Sequence, residues 1–392
     1  MIGFTKLLCG QATVSEAIRQ REAGRVDPHM LQFSAADRPL VVWNATYRCN
    51  LACAHCYIDA QDHDHTGEMT TDEARTMIDD LATIPVPVLL FSGGEPLMRA
   101  DVLDLASYAA DKGLRPVLST NGTLIDAKMA RRIKAAGLQY AGVSIDGLAE
   151  THDRFRRREG AFEAAVRGIR NCTAAGVKAG IRFTVNAANH RDLPGVLDLV
   201  EELGVPRFCM YHLVYSGRGS AMKDQDITPE QRRAAVDLLI ERVLDWDRRG
   251  IETEVLTTDQ HADGVYLHRY ILEHQPERAE EVRQLLEMHG GCSAGCKMSN
   301  VGPRGNVHAC QFWGHVTLGN VRERPFTEIL RDTANEFLSD LRRKHELVKG
   351  TCALCAHKGI CGGCRIRAEA VLGDVWAEDP ACYLTDEERA SG

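Results

Sequence analysis

Residues 40–57 contain the strand-like run Leu40-Val41-Val42-Trp43, closely followed by Tyr47-Arg48-Cys49-Asn50-Leu51-Ala52-Cys53-Ala54-His55-Cys56-Tyr57. Three cysteines therefore lie in one short loop after a strand, separated by three and then two residues. Thiolates are the usual ligands of iron-sulfur clusters, and three of them leave one iron of a four-iron cluster open. The loop thus predicts a [4Fe-4S] cluster held by Cys49, Cys53 and Cys56 whose open iron can bind a substrate or cofactor.

A structural zinc site is the alternative interpretation of this loop. Such a site needs four ligands, usually Cys pairs or Cys and His at set offsets. His55 lies between Ala54 and Cys56, where it could scarcely reach the same ion with good geometry. The ligand count therefore favours an iron-sulfur cluster.

The composition is typical of a globular enzyme. A length of 392 residues predicts about two or three domains. The net charge of −8 gives no general attraction to nucleic acid or acidic lipid. No apolar run approaches the roughly 18 residues of a membrane span, and the first residues lack a secretion signal. We expect a cytoplasmic enzyme with no nucleic-acid or membrane partner, whose fourteen cysteines serve metal or redox chemistry.

Strand-like and helix-like segments alternate after the cysteine loop. The β-rich runs are 40–44, 87–91, 116–119, 140–145, 179–185 and 208–214, and the amphipathic runs include 71–84, 101–112, 126–136, 161–175 and 193–203. This alternation predicts right-handed crossovers and a parallel sheet. Six such units predict an α/β fold containing a partial (β/α)6 barrel over residues 38–250, preceded by an N-terminal segment, 1–37.

Eight further cysteines follow residue 290, and they are Cys292, Cys296, Cys310, Cys352, Cys355, Cys361, Cys364 and Cys382. Eight thiols make two complete sets of four ligands. Two zinc sites are the alternative, since Cys-x2-Cys pairs alone do not distinguish zinc from iron-sulfur, but the upstream loop favours iron. We therefore expect a cysteine-rich domain at 291–392, joined to the barrel by a linker or pocket segment at 251–290.

Polar and glycine-rich segments end three consecutive predicted strands. They are Ser92-Gly93-Gly94-Glu95-Pro96, Ser119-Thr120-Asn121-Gly122 and Ser144-Ile145-Asp146-Gly147. The glycines let a ligand approach the backbone, and Glu95 can accept a hydrogen bond from a cationic amine. Each segment alone is typical of a turn. Parallel sheets bind ligands at the carboxyl ends of their strands, so the repetition beside the cysteine loop predicts a binding rim.

These motifs together resemble the radical S-adenosylmethionine enzymes over roughly residues 38–250. The resemblance implies that S-adenosylmethionine chelates the open iron through its amino and carboxylate groups. It also implies cleavage to a 5′-deoxyadenosyl radical by one electron from a small donor such as flavodoxin or ferredoxin. By position, the implied cofactor contacts are Tyr57, Gly93, Gly94, Glu95, Asn121, Ser144, Asp146 and Arg156.

The resemblance also extends to Arg156 and to the cysteine-rich segment 291–392. Arg156 resembles the arginine that faces the cofactor carboxylate, and a solvated basic run with Arg154, Arg157 and Arg158 is the alternative. The segment 291–392 resembles the SPASM extension of these enzymes. That extension implies two auxiliary [4Fe-4S] clusters, one held by Cys292, Cys296, Cys310 and Cys364 and the other by Cys352, Cys355, Cys361 and Cys382.

Candidate catalytic residues lie at the end of the sixth predicted strand, in the run from Arg207 to Gly219. Strand alternation sends Tyr211 and His212 to opposite faces, and a core or wall role for both is the alternative to chemistry. Arg218 in its glycine-rich loop is a candidate carboxylate contact, because its planar fork suits bidentate pairing. The segment 259–266 either lines the pocket or turns the chain.

Longer phrases resemble the haem-biosynthesis branch of the family nearly end to end. They are residues 1–10, 211–219, 261–266 and 318–323. The branch implies an iron-tetrapyrrole substrate and a deacetylase reaction, in which acetate side chains are removed from 12,18-didecarboxysiroheme to give iron-coproporphyrin III.

Two alternatives to the deacetylase stay open. A haem d1 relative removes propionates from the same precursor, although the opening segment and the full auxiliary cysteine set favour the deacetylase. A SPASM peptide or sulfatase maturase is the second alternative. Such enzymes often carry a leader-binding domain, for which the 37 residues before the first barrel strand are short of the roughly 50 that a domain needs.

Overall fold

The strands of a computed structural model, which describes residues 1–10 and 38–391, form one sheet. They are β1 Ile2–Gly3, β2 Leu40–Asn44, β3 Leu89–Ser92, β4 Pro116–Thr120, β5 Tyr140–Ser144, β6 Lys178–Val185, β7 Arg207–His212, β8 Glu254–Thr258, β9 Met298–Val301, β10 Asn306–His308 and β11 Gly319–Asn320. Their spatial order is β1-β8-β7-β6-β5-β4-β3-β2-β9-β10-β11. Every neighbouring pair from β2 to β8 is parallel, which confirms the predicted parallel α/β sheet.

Helices connect the parallel strands, and further helices follow the last strand, β11. They are α1 Phe4–Cys9, α2 Thr71–Leu81, α3 Val102–Asp111, α4 Ala127–Ala135, α5 Ala149–Arg156, α6 Ala161–Ala174, α7 Leu193–Glu202, α8 Pro229–Arg248, α9 Ala262–His274, α10 Ala279–His289, α11 Phe326–Arg331, α12 Glu336–Arg342, α13 Lys344–Leu347, α14 Gly350–Leu354, α15 Arg365–Leu372 and α16 Asp386–Ala390. Single 3₁₀ turns occur at Pro96–Met98, His190–Asp192 and Pro276–Arg278, and a longer 3₁₀ segment at Gly217–Gln225. None of the helices in the described residues is long and apolar enough to cross a bilayer.

Local sequence signals explain where the main crossover helices begin. Thr70 and Glu73 form a capping box at the start of α2, and Thr228 and Gln231 form another at the start of α8. Each box satisfies backbone N–H groups that the first turn of a helix leaves free. The predicted helices and their crossovers are therefore present, with ends that differ by a few residues from the predicted ones.

The segment 251–290 is more than the predicted linker. It contains the strand β8, which pairs in parallel with β7 through Arg207↔Glu254 and Met210↔Thr257, and the helices α9 and α10. Only Val255 and Leu256 are strongly apolar in β8, so its hydrophobic run is too short to be recognised from the sequence. β8 consequently adds a seventh parallel strand to the six that were predicted.

Strands from before and after the parallel strands in the sequence extend the sheet at its two edges. β1 pairs antiparallel with β8, through Ile2↔Thr257, and β9 pairs in parallel with β2. β10 and β11 then add antiparallel strands beyond β9. Of the N-terminal segment 1–37, residues 11–37 lie outside the described residues.

Side chains of the parallel strands alternate between a helix-covered core and the barrel interior. Trp43, Phe91, Phe183 and Phe208 are fully buried on the outer side, and the Trp43 and Phe91 rings meet edge to face at 5.3 Å. The alternate positions carry small or polar residues that line the interior, among them Ser92, Ser119, Ser144, Arg182, Thr184 and Tyr211. This division places a polar cavity inside an apolar shell.

Candidate active site

A cavity opens at the carboxyl ends of the parallel strands. Its wall combines the three cysteines of the first loop with residues from the strand ends. Gln311 and Phe312, from the cysteine-rich domain, complete it. The Phe312 ring meets the Tyr57 ring at 5.3 Å, so the C-terminal domain closes one side of the cavity.

The loop thiols have the surroundings of cluster ligands. The amide of Leu51 donates to Cys49 Sγ at 3.4 Å, and the amide of Ala60 donates to Cys56 Sγ at 3.4 Å. Hydrogen bonds to cluster sulfurs are a normal part of such sites. Burial raises the pKa of the Cys49 thiol to about 12, so at neutral pH it loses its proton only to a metal. Cys49, Cys53 and Cys56 therefore fit an iron-sulfur cluster.

Gly93 and Gly94 bring the end of β3 against the chain that leads into the cysteine loop. A Cβ on Gly93, which has a φ of 124°, would lie 2.6 Å from the carbonyl oxygen of Thr46, and one on Gly94 would lie 2.2 Å from that of Arg48. The amide of Gly94 donates to the Thr46 carbonyl at 2.8 Å. Both glycines line the cavity, and they also admit the neighbouring backbone that carries the loop.

Glu95 does not face the cavity with its carboxylate, contrary to the expected contact with a cationic amine. The side chain is fully buried and accepts hydrogen bonds from Thr120 Oγ1 at 2.8 Å and from the amides of Asn121 at 2.8 Å and Leu97 at 3.2 Å. Burial raises the pKa of Glu95 to about 7, and these donors counteract part of that shift. Glu95 thus ties the end of β3 to the end of β4.

Tyr57, Asn121 and Ser144 all line the cavity, as the predicted rim requires. The Tyr57 hydroxyl donates to Asn44 Oδ1 at 2.8 Å, which fixes its ring beside the loop. Asn121 Nδ2 donates to Asn50 Oδ1 at 2.8 Å and lies 4.0 Å from Cys49 Sγ. These contacts bind the strand ends to the cysteine loop.

Arg156 and Asp146 form a buried pair under the loop. Arg156 Nη2 pairs with Asp146 Oδ2, and Nη1 donates to Cys53 Sγ at 3.3 Å. The alternative of a solvated run is wrong for Arg156, which is 7 % exposed, although Arg154, Arg157 and Arg158 are exposed. Arg156 Nε is buried without a partner in the described residues, so one donor stays available to a ligand.

Tyr211 and His212 both line the cavity, but their surroundings differ. Both ring nitrogens of His212 are engaged in a buried network. Arg232 Nη1 lies 2.8 Å from His212 Nδ1 and can only donate, so Nδ1 accepts and Nε2 donates to Asp263 Oδ2 at 2.9 Å. Burial lowers the pKa of His212. The neutral ring has no nitrogen left for proton transfer, which leaves His212 in a wall role.

Arg218 holds the cysteine loop more than it faces a ligand. Its Nε donates to the carbonyl of Cys53 at 2.9 Å, and Nη1 contacts the carbonyl of Ala60 at 2.9 Å and Asp59 Oδ1 at 2.6 Å. Its amide also donates to the Cys56 carbonyl at 2.9 Å. Only Nη2 is buried without a partner in the described part of the chain. The predicted carboxylate contact would have to use that single atom.

Arg218→Ala is expected to destabilise the loop by about 2–3 kcal/mol, because three side-chain hydrogen bonds disappear. We expect iron content and cofactor cleavage without substrate to fall together, as measured by iron assay and 5′-deoxyadenosine yield. Arg48→Ala is the matched control, since Arg48 precedes the same loop but pairs with the exposed Asp62 and Asp64. Equal iron retention by the two variants would contradict the holding role.

Two cavity residues were not singled out from the sequence. Arg182 stands in the middle of β6, where a cation between the apolar residues Ile181 and Phe183 was an available signal. Asp259 begins the segment that was expected either to line the pocket or to turn the chain, and it does both. It has a φ of 68°, and its buried Oδ2 has no partner among the described residues. Strain and an unpaired oxygen at one residue are typical of a functional position.

The eight C-terminal thiols lie in two groups. Burial raises the pKa values of Cys296, Cys310 and Cys364, and the nearby charge of Cys292 adds to each shift. Burial likewise raises the pKa values of Cys352, Cys361 and Cys382. The nearby charge of Cys352 adds to the shifts of Cys361 and Cys382, and that of Cys355 adds to the shift of Cys352. Among the described residues no three His, Cys, Asp or Glu side chains converge on one metal ion.

A buried ion pair between Arg367 and Asp379 connects the C-terminal part of the chain to the barrel. Arg367 donates to both oxygens of Asp379, at 3.0 and 2.8 Å, and to the carbonyl of Leu213 at 3.2 Å. Asp379 also accepts from the amides of Cys364 at 2.7 Å and Ala381 at 3.1 Å. Burial alone would raise the pKa of Asp379, but the Arg367 charge and these donors hold it below its ordinary value.

Comparison with known proteins agrees with this site. Residues 43–200 match the model of the Radical SAM superfamily, and residues 292–364 match SPASM, an iron-sulfur cluster-binding domain. Fe-coproporphyrin III synthase of Methanosarcina barkeri is 51% identical, covering 99% of this chain and 98% of that protein. Pre-heme d1 synthase of Dinoroseobacter shibae is 42% identical, covering 90% and 87%. AdoMet-dependent heme synthase of Methanosarcina barkeri is 37% identical, covering 90% and 98%.

Solved structures share the fold at lower identity. SuiB of Streptococcus suis, bound to S-adenosylmethionine, superimposes with a TM-score of 0.70 at 16% identity, covering 89% of this chain and 78% of that one. Native anSMEcpe with bound AdoMet has a TM-score of 0.65 at 21% identity, covering 87% and 91%. The chain therefore belongs to the radical SAM superfamily with a SPASM domain, in the group that contains Fe-coproporphyrin III synthase, pre-heme d1 synthase and AdoMet-dependent heme synthase.

Proposed function

We propose that this enzyme removes acetate side chains from 12,18-didecarboxysiroheme to give iron-coproporphyrin III. The observation that carries the proposal is the 51% identity to Fe-coproporphyrin III synthase over 99% of this chain. The cavity supports it, because the three loop thiols and the carboxyl ends of the parallel strands share one wall there. A cofactor and a large substrate both need room there.

The reacting C–H bond next to a side-chain carboxylate is beyond acid-base catalysis at ordinary pKa values, so a cofactor must supply the hard chemistry. The cluster on Cys49, Cys53 and Cys56, together with S-adenosylmethionine, supplies a radical that can take a hydrogen atom from such a carbon. The chain itself orients the cofactor and the substrate and encloses them in the cavity.

Residues of the cavity divide into two tasks in this proposal. Tyr57, Gly93, Gly94, Asn121, Ser144 and Arg156 line the side next to the cysteine loop and would contact S-adenosylmethionine, with Asp146 and Glu95 behind them. Burial raises the pKa of the Cys53 thiol, and the positive charge that Arg156 places at Cys53 Sγ counteracts part of that shift. Arg182, Tyr211 and Asp259 form the remaining wall, which we assign to the tetrapyrrole. Phe312 covers the cavity and excludes water.

Two auxiliary [4Fe-4S] clusters are part of the proposal. The neighbour relations among the thiols support one cluster on Cys292, Cys296, Cys310 and Cys364. They support the other on Cys352, Cys355, Cys361 and Cys382. Clustered thiols of this number suit the reducing cytoplasm, and a flavodoxin or ferredoxin is the expected electron donor.

Removal of propionates is the second candidate function. The 42% identity to pre-heme d1 synthase over 90% of this chain favours it over a peptide maturase. The mycofactocin maturase of Mycobacterium tuberculosis is 30% identical over a similar share.

Product mass distinguishes these functions. Anaerobically reconstituted enzyme is incubated with 12,18-didecarboxysiroheme, S-adenosylmethionine and a reductant, and the tetrapyrrole is analysed by mass spectrometry. We expect loss of two acetate side chains and formation of 5′-deoxyadenosine. Iron-coproporphyrin III is the matched control, since it lacks those side chains and should remain unchanged. Loss of propionate mass supports the second candidate, and an unchanged precursor beside abundant 5′-deoxyadenosine contradicts both.

A further inference from the structure

Arg182 lies on the cavity wall in a space that Gly142 on the neighbouring strand leaves open. Its guanidinium crosses from β6 over β5 to donate to Ser119 Oγ on β4. A Cβ on Gly142 would lie 2.3 Å from Arg182 Nε, and a Cβ on Gly180 would lie 2.2 Å from the Tyr140 hydroxyl. Because β5 lacks a side chain at Gly142, the guanidinium can lie against the barrel wall, whereas Gly180, on β6 itself, leaves room for the Tyr140 hydroxyl.

The charge of Arg182 has no acidic partner among the described residues. The two other cavity arginines do have one, since Arg156 pairs with Asp146 and Arg218 pairs with Asp59. Within the described part of the chain, the Arg182 side chain donates a hydrogen bond only to the neutral Ser119 hydroxyl. A guanidinium is always charged, and a half-buried charge without a counter-charge is costly. Its remaining donors form a planar fork that matches a carboxylate.

The position of Arg182 favours a substrate carboxylate over that of the cofactor. Arg156 already bonds a loop thiol and keeps a free Nε, which suits a cofactor held at the cysteine loop. Among the described residues Arg182 makes no hydrogen bond to the cysteine loop, although its charge acts on Tyr57 there as well as on Tyr211, Tyr140 and Cys209. Its free fork therefore faces the wall that we assign to the tetrapyrrole.

We propose that Arg182 binds a side-chain carboxylate of the iron tetrapyrrole and so fixes the orientation of the macrocycle toward the cysteine loop. This inference rests on the proposed function. It gives the enzyme a specificity residue that is separate from the cofactor contacts.

Substrate titration of two variants tests this role. In Arg182→Gln, the dissociation constant for 12,18-didecarboxysiroheme, followed by absorbance, is expected to rise about 10- to 100-fold. The dissociation constant of S-adenosylmethionine and its cleavage without substrate stay unchanged. Gly142→Ala keeps the charge but displaces the guanidinium, so a smaller loss of tetrapyrrole affinity is expected. Arg170→Gln is the matched control, because Arg170 pairs with Glu202 on the exposed outer face.

Esterified substrate completes the test. Methyl esterification of the carboxylates should weaken binding to the wild-type enzyme more than to Arg182→Gln, by the same 10- to 100-fold factor. Equal weakening of both proteins overturns the inference, as does lower affinity for S-adenosylmethionine with unchanged tetrapyrrole affinity. If the wild-type enzyme binds and converts no iron tetrapyrrole, the proposed function fails instead. If Arg182→Gln loses its iron, the same comparison of free and esterified substrate is made with Gly142→Ala and Arg182→Lys.

Discussion

Cys53→Ala is expected to abolish cleavage of S-adenosylmethionine, while Cys172→Ala leaves it unchanged. Cys53 belongs to the three-thiol loop, and two thiols cannot hold a four-iron cluster with one open iron. Its sulfur is also the acceptor for Arg156 Nη1, so its removal leaves that buried cation without one of its two partners. Cys172 is equally buried but lies in α6, away from the cavity.

Iron and 5′-deoxyadenosine assays check this prediction on anaerobically reconstituted protein. Cys53→Ala should contain about four iron atoms fewer than the wild type and yield no 5′-deoxyadenosine after reduction. Cys172→Ala removes the same atom type from a core site and controls for general loss of packing. Residual cleavage near the wild-type rate in Cys53→Ala would mean that the cavity thiols do not carry the reactive cluster.

Asp379→Ala is expected to destabilise the protein by about 3–5 kcal/mol, because it leaves the Arg367 charge buried and uncompensated. The side chains of this pair are 0 % and 1 % exposed. The variant also removes the acceptor of the Cys364 amide, so loss of auxiliary iron should accompany the loss of stability. Urea unfolding followed by circular dichroism, with iron analysis, measures both effects.

Glu202→Ala is the control for this second prediction. Glu202 pairs with Arg170 at 3.1 Å, but both side chains are more than half exposed. Exposed pairs contribute about 0–1 kcal/mol, so this variant should unfold almost like the wild type. If the two variants unfold alike, the buried pair does not join the C-terminal elements to the barrel.

The sequence was most informative where local pattern and chemistry coincide. Apolar runs flanked by turn residues predicted the six strands from β2 to β7, and spacing alone identified Cys49, Cys53 and Cys56. β8 was missed because two apolar residues do not make a recognisable run, and its pairing with β7 comes from tertiary context. Strand-level prediction thus fails where packing, rather than composition, defines the element.

Side-chain roles were harder to predict than positions. Glu95 and Arg218 lie at the site, yet their charges are directed at neighbouring backbone rather than at the cavity. His212 is next to the cavity wall but is bonded to Arg232 and Asp263, which are 20 and 51 residues away in the chain. No local pattern encodes such distant partners. Arg182 was overlooked because the feature that singles it out is the lack of an acidic partner among the described residues, which no sequence pattern shows.

The pairing of β2 with β9 has a consequence for dividing the chain. β2 leads into the cysteine loop, and β9 comes from the C-terminal part, so a fragment ending near residue 290 would leave one side of β2 with unsatisfied N–H and C=O groups. An open edge of this kind recruits other polypeptides and promotes aggregation. The two sequence modules should therefore denature in a single cooperative transition, and the barrel should not be obtained as a well-behaved isolated fragment.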